Sequence, residues 1–147
     1  MSVKISTKGR YAARIMVCIA AHAGAGGMTK YEIAESEGIS SDYVAQILLR
    51  LKSAGLVISH RGKKGGFRLA RPAGEITMAD VLNASEGPLE LAPCMRRPCR
   101  RSATCVTKGV WGRAGKAVYD VLEGASLQGL ADEHRRAQSV RGGNFDI

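Results

Sequence analysis

Three cysteines close together are the clearest chemical signal in this 147-residue chain. Cys94, Cys99 and Cys105 are spaced C-x4-C-x5-C, with four arginines between them. Nearby positive charge favours the thiolate, which is the form of cysteine that binds metals and reacts with oxidants. Structural zinc favours paired knuckles, whereas this chain has a single triplet. We therefore predict that these three cysteines bind an iron–sulfur cluster, 2Fe-2S or 4Fe-4S. Metal-free thiol oxidation, zinc and unreactive cysteines are the alternatives.

The sequence leaves the fourth ligand of such a cluster open. Cys18 lies on the apolar stripe of a predicted helix, so we expect it in the core. His22 and His134 are more typical of surface histidines or of histidines bonded within the fold. Glu90, a residue of a partner subunit or a small molecule remain as candidates.

Positive charge is concentrated in the first half of the chain. Residues 1–72 hold twelve Lys and Arg against four Asp and Glu, and residues 73–147 hold ten against nine. A basic half indicates an anionic partner, and we predict double-stranded DNA. A solvated basic surface is the alternative when charge is considered by itself.

Two short helices joined by a tight turn are predicted over about residues 29–54. Thr29 and Glu32 have the spacing of a capping box, which marks the start of the first helix. Gly38 opens the turn, and Ser40 caps the second helix. This arrangement is a helix-turn-helix.

The second of these helices has one apolar face and one face suited to a DNA groove. The apolar residues recur at helical spacing and are Val44, Ile47, Leu48 and Leu51. On the other side, Gln46 can pair with an adenine edge and Arg50 with phosphate or guanine. Leu49 also lies there, and we expect the first helix or a partner subunit to cover it.

A β-hairpin is predicted over about residues 56–70, directly after the helix-turn-helix. Two stretches of strand propensity flank a glycine-rich loop, in which Arg61, Lys63 and Lys64 supply positive charge. Glycines let the backbone approach a phosphate closely. We interpret the hairpin as a wing that completes a DNA-binding domain over residues 1–72, whereas the loop alone is also consistent with a flexible surface turn.

The second half of the chain is predicted to hold the cysteine loop and dimerisation helices, over residues 73–136. Apolar residues recur at helical spacing over 106–123, and glycines at every third position there allow a second helix to approach. An apolar helix without cover in so short a chain indicates a dimer, with Trp111 as an anchor. A shorter helix over about 126–136 and a flexible tail over 137–147 follow.

Composition and motifs exclude several classes of protein. Hydrophobic residues make up 45% of the chain and charged residues 24%, and no apolar run is long enough to cross a membrane. We find no secretion signal and expect a cytoplasmic protein without a small-molecule substrate. The segment 112–116 resembles part of a P-loop, but Val110 and Ala117 replace residues that the motif requires. We therefore predict that the chain is not an enzyme.

The start of the chain, residues 4–14, resembles the signature start of the bacterial Rrf-type winged-helix transcription regulators. Residues 38–43, 48–57 and 61–67 and the cysteine triplet are similar to that family as well. The resemblance implies a mainly α fold with a small β-hairpin wing, a long C-terminal dimerisation helix and an exposed cluster loop. It also implies a homodimeric regulator, typically a repressor, that binds palindromic promoter sites and senses iron–sulfur status, nitric oxide or redox state. A metal-free member that signals through thiol oxidation or a partner enzyme is the alternative.

The chain departs from the family pattern in its cysteine spacing and at three further positions. The first two cysteines are one residue closer together than in the usual C-x5-C-x5-C pattern. Lys108 stands where the IscR branch has a histidine ligand, and Lys8 where the NsrR branch has an aspartate ligand. Ala45 replaces a glutamate that discriminates between DNA sites in the IscR branch, so we expect no such discrimination.

The family's DNA-contact region matches this chain better than its ligand positions do. Five positions match that region directly, namely Ser40, Tyr43, Gln46, Arg50 and Arg61. The full set of predicted DNA-binding residues is Thr29, Ser40, Ser41, Asp42, Tyr43, Gln46, Arg50, Arg61, Lys63 and Lys64.

Overall fold

The computed structural model describes residues 4–63 and 65–142, which form six α-helices and a two-stranded hairpin. The helices are α1 (Thr7–Ala21), α2 (Lys30–Glu37), α3 (Ser41–Ser53), α4 (Met78–Glu86), α5 (Val106–Glu123) and α6 (Leu127–Gly142). The strands are β1 (Val57–His60) and β2 (Gly66–Leu69), and short 3-10 turns lie at Ala23–Ala25, Ala73–Glu75 and Pro93–Met95. The predicted mainly α fold with a hairpin wing is confirmed. Within the described ranges, no helix is both long and apolar enough to span a membrane.

Reciprocal side-chain caps begin α2 and α4. The Thr29 hydroxyl accepts a hydrogen bond from the Glu32 N–H at 3.2 Å, and the Glu32 carboxylate accepts one from the Thr29 N–H at 2.7 Å. Thr77 and Asp80 repeat this reciprocal pair at the start of α4, at 3.0 and 3.2 Å. A cap of this kind stabilises a helix by about 1 kcal/mol relative to alanine, because it satisfies backbone donors that otherwise lack a partner.

Helix α1 forms the centre of the core. It packs against α6 and α4 as well as against the helix-turn-helix, and Ile15 and Met16 are fully buried on it. Full burial of an aliphatic side chain of this size contributes about 1.5–3 kcal/mol. Cys18 is also buried on α1, which confirms its predicted place in the core. Burial raises the pKa of the Cys18 thiol, so this cysteine stays protonated and unreactive.

Helix α6 is longer than the sequence pattern predicts. Its buried residues Leu127 and Ala131 lie in the core, which includes α1. The Arg135 guanidinium donates hydrogen bonds of 3.1 Å to the carbonyl oxygens of Ala20 and Ala21 at the end of α1. Because no glycine or proline interrupts residues 137–141, the helix continues to Gly142. The predicted tail is therefore helical over 137–142, and its remaining residues, 143–147, lie outside the described part of the chain.

The hairpin is fastened to the helix-turn-helix at two points. β1 and β2 are antiparallel, with the Met28 backbone bridging to Phe67 through hydrogen bonds of 3.0 and 2.7 Å. The Lys52 ammonium group, at the end of α3, donates a 2.7 Å hydrogen bond to the Ser59 hydroxyl of β1. The wing therefore has a fixed position relative to both helices of the helix-turn-helix.

Candidate nucleic-acid interface and cysteine loop

Helix α3 presents one face to the core and the opposite face to solvent. Its inward residues are each no more than 1% exposed and are Val44, Ile47, Leu48 and Leu51. Asp42, Gln46 and Arg50 are exposed, while Ser41 is half-buried in the first turn. Leu49 is 67% exposed, so the expectation that the first helix covers it is wrong. We call the exposed surface of Asp42, Gln46, Leu49 and Arg50 the reading face.

Three of the predicted contact residues also hold the two helices of the helix-turn-helix in place. The Ser40 hydroxyl accepts a hydrogen bond from the Tyr43 N–H at 3.2 Å, and Thr29 caps α2 as described above. The Tyr43 ring packs edge-on against Tyr11, with ring centroids 5.8 Å apart. A hydroxyl that accepts from the backbone still has its own proton to donate, so Ser40 and Thr29 can each donate to a phosphate oxygen.

The basic side chains on the reading face and on the wing are not neutralised by acidic residues within the described part of the chain. Arg50, Arg61 and Lys63 are exposed, and among the described residues none of them has an acidic partner within ion-pair distance. Lys64 lies outside the described residues. Unpaired Lys and Arg are what phosphate binding requires, because each neutralised phosphate releases condensed counterions.

The turn of the wing depends on glycine. The Gly65 N–H donates a 2.8 Å hydrogen bond to the Gly62 carbonyl, which closes the loop. A Cβ atom at Gly65 would lie 2.6 Å from the His60 carbonyl oxygen, and one at Gly66 would lie 2.7 Å from the Met28 backbone. The close approach of backbone to backbone thus excludes other residues at both positions.

The loop between α4 and α5 holds the three predicted ligands at half-exposed positions. Cys94 lies in the 3-10 turn at Pro93–Met95, and Cys105 immediately precedes α5. An ion pair of 2.8 Å joins Glu90 to Arg96 across the first part of the loop. Glu90, a candidate fourth ligand, therefore has a cationic partner already.

The environment of Cys105 favours its thiolate. The Thr107 hydroxyl lies 3.3 Å from the Cys105 sulfur, and this hydrogen bond is the main cause that lowers the pKa of the thiol. The backbone N–H and the positive charge of Lys108 lower this pKa further. The charged ammonium group of Lys108 cannot ligate a metal as a neutral imidazole can. Its positive charge instead stabilises the nearby Cys105 thiolate.

The cysteines are not gathered into a ligand set. Over residues 4–63 and 65–142, no three Cys, His, Asp or Glu side chains come close enough together to hold a metal ion. The three loop cysteines therefore lie apart in this arrangement of the loop.

Helix α5 has no buried residue in the single chain. Its exposed apolar side chains include Val106, Val110, Trp111, Val118 and Val121, the last of which is 73% exposed. A Cβ atom at Gly112 would be in van der Waals contact with the Met95 side chain, and one at Gly115 with that of Leu91. Loop residues therefore lie where we expected a second helix to approach. The four exposed valines, Val106, Val110, Val118 and Val121, form what we call the valine surface of α5, and nothing in the described part of the single chain covers it.

Two features of this region have no local sequence signal. Met28 joins the wing to the helix-turn-helix, and Leu91 and Met95 anchor the cysteine loop on α5. Both depend on contacts between residues far apart in the chain, which periodicity and capping motifs do not report.

Known proteins resemble this chain over nearly its whole length. A family model described as "Rrf2: Iron-dependent Transcriptional regulator" matches residues 5–133. The HTH-type transcriptional regulator IscR of Aliivibrio salmonicida (strain LFI1238) is 32% identical over 145 residues, which cover 98% of this chain and 86% of that protein. The structure of T. potens IscR has a TM-score of 0.77 at 35% identity and covers 94% of this chain and 93% of its own. CymR (YrzC), the global cysteine regulator of B. subtilis, has a TM-score of 0.72 at 35% identity, with coverage of 90% and 98%.

Proposed function

Because this chain belongs to the Rrf2 family of transcriptional regulators, we propose that it controls transcription as a homodimer bound to promoter DNA in the bacterial cytoplasm. The chain is a transcriptional regulator and not an enzyme. One observation carries the DNA-binding proposal, namely an exposed reading face beside a wing whose described basic side chains are free of ion pairs.

The reading face is proposed to enter the major groove. The Gln46 amide can form two hydrogen bonds with an adenine edge, and Arg50 is proposed to contact a phosphate or a guanine. Arg61 and Lys63 would reach the adjacent backbone or minor groove from the wing, where negative potential attracts arginine. The hydroxyls of Thr29 and Ser40 supply additional phosphate contacts, which set the register of the protein on the duplex.

Helix α5 is proposed as the dimer interface. Its valine surface and Trp111 lack cover in the single chain, and a second copy would bury them. A two-fold dimer places two reading faces on DNA, so the preferred site is a palindrome whose half-sites lie about 10 base pairs apart. Because such a dimer occupies the promoter, we propose repression as its effect.

The signal is proposed to enter through the cysteine loop. An iron–sulfur cluster is what the sequence pattern predicts, but the three cysteines are not assembled and Glu90 is paired with Arg96. Binding of a cluster would require the loop to bring the three cysteines together.

A metal-free thiol switch is the second candidate, and the lowered pKa of Cys105 favours it. The Cys105 thiolate attacks a hydroperoxide, which leaves a sulfenic acid on the sulfur and releases an alcohol or water. A second loop thiol, Cys94 or Cys99, would have to move to Cys105, where it displaces water and forms a disulfide. Formation of this disulfide would shift the loop residues Leu91 and Met95, which lie against α5.

Three measurements on the purified protein test this proposal. Sedimentation should show a dimer, and selection from a random duplex pool should recover a two-fold symmetric sequence. Absorption after anaerobic purification separates the two signals, because a cluster gives charge-transfer bands and metal-free thiols do not. A monomer that selects no sequence at low salt would contradict the proposed function.

A further inference from the structure

A cleft beneath the wing is not used by the reading face or by the cysteine loop. Its volume is about 550 Å³, which lies within the range of sites for small molecules. Its walls come from the end of α1, both strands of the wing and α6. The apolar part of this wing cleft consists of Ile19, Ala20, Ile58, Phe67, Leu69 and Pro72.

All the charged side chains that line the wing cleft are arginines. Arg135 is committed to the carbonyls at the end of α1 and to Asp132, at 2.8 Å. Arg71 donates to the Glu75 carbonyl at 3.2 Å and forms an ion pair of 3.6 Å with Asp80. Arg71 and Arg135 therefore each have an acidic partner, and an anionic occupant would be attracted by the charge of Arg68.

Arg68 is the one of these arginines without an acidic partner within ion-pair distance among the described residues. Its Nη2 contacts the His60 ring, whereas its Nε is buried without a hydrogen-bond partner among the described residues. A buried donor without an acceptor is unfavourable, more so when it carries charge. Gly27 lies against the stem of Arg68, where a Cβ would be 3.0 Å from the Arg68 Cγ.

We propose that the wing cleft binds a small organic carboxylate, with its oxygens accepting from the Arg68 guanidinium and its apolar body on the aliphatic and aromatic wall. The charge of Arg68 favours an anion, and the extent of the apolar wall favours a carbon skeleton over inorganic phosphate. The volume admits a molecule of about the size of a medium-chain or aromatic acid.

Such a ligand acts on the wing directly. Ile58 and Arg68 are opposite each other in the hairpin, so a molecule held between them and α6 bridges the wing to the core. This consequence rests on the proposed DNA-binding function. Coupling between two sites of this kind changes DNA affinity by about 5- to 150-fold.

Calorimetric titration of sodium hexanoate into the full-length protein, without DNA, tests the site. We expect saturable binding, at least tenfold weakened in Arg68→Gln and in Ile58→Trp, which fills the cleft while leaving its charge intact. Arg136→Gln, an exposed arginine elsewhere on α6, is the matched control and should bind as the unchanged protein does. Circular dichroism verifies that each variant is folded.

Two further titrants identify what is recognised. Hexanol should not bind, because it lacks the carboxylate, and inorganic phosphate should not compete with hexanoate. Absence of saturable hexanoate binding, or equal binding by all variants, overturns the site, and equal affinity for phosphate overturns the organic acid.

A final titration with DNA tests the coupling. Hexanoate should change the affinity for the selected duplex in the unchanged protein and not in Arg68→Gln. Hexanoate binding without any change in DNA affinity overturns the regulatory role alone. Because the first titration contains no DNA, failure of the carboxylate site and failure of the proposed DNA-binding function give different results.

Discussion

Replacing Arg61 by alanine should weaken DNA binding without changing the fold. The side chain is exposed and has no ion pair among the described residues, so its removal should alter the free energy of unfolding by less than about 0.5 kcal/mol. A base-edge contact is worth about 1–3 kcal/mol, and a dimer carries two wings. We therefore expect a loss of at least about 2 kcal/mol, or about 30-fold in affinity.

The salt dependence separates the two contacts that Arg61 can make. If it neutralises a phosphate, the slope of log affinity against log salt should flatten by about 0.9 for each wing, or about 1.8 for the dimer. If it reads a base edge, the affinity for the selected sequence should fall more than that for random DNA. Fluorescence anisotropy with a labelled duplex at several salt concentrations measures both quantities.

The control for this experiment is Arg136→Ala, which removes the same charge from an exposed position on α6. It should leave the affinity and the slope close to those of the unchanged protein. If Arg61→Ala and Arg136→Ala have identical affinities and slopes, the wing does not contact DNA as we propose.

Three other substitutions test separate parts of the molecule. Gly65→Ala places a Cβ 2.6 Å from the His60 carbonyl oxygen, so the wing turn must shift, and we expect about a tenfold loss of DNA affinity in the same anisotropy assay. Val121→Asp introduces a charge into the proposed interface on α5 and should weaken the dimer at least about tenfold by sedimentation, since an unpaired buried charge is costly. Thr107→Val removes the main cause that lowers the pKa of Cys105, so less thiolate is present at a given pH and alkylation by iodoacetamide should slow, with its pH profile moved upward.

Each of these variants has a matched control in the same chain. Gly74→Ala adds a methyl group where the structure has open space, and Val140→Asp adds a charge at an equally exposed valine on α6. Thr104→Val removes a threonine hydroxyl whose hydrogen bond goes to a backbone carbonyl and not to sulfur. If a control matches its partner variant, the effect is not specific to the site we assign.

The helix-turn-helix could be predicted from sequence because its determinants are local. The capping box at Thr29 and Glu32, the cap at Ser40 and the spacing of the α3 core residues each involve neighbours within a few positions. The bounds of α5 also follow from periodicity, and the structure has this helix over Val106–Glu123, as the pattern predicts.

The parts that sequence did not predict depend on distant contacts. Met28 pairs with Phe67, and Arg68 lies against Gly27, only after the hairpin has folded back. The position of α6 depends on its packing against α1, including the hydrogen bonds of Arg135 to carbonyls more than a hundred positions earlier in the chain. The arrangement of the three loop cysteines likewise depends on how the whole loop lies on α5, which their spacing does not specify.

If the proposed dimer through α5 is the form that binds DNA, promoter occupancy depends on how much regulator the cell contains. When copies are scarce, the paired form grows with the square of their number, because two chains must meet before α5 is covered. Occupancy then rises more steeply with abundance than it would for a protein that binds singly. Changes in synthesis or degradation of the chain would then alter the occupancy of the promoters that it binds, in addition to any chemical signal.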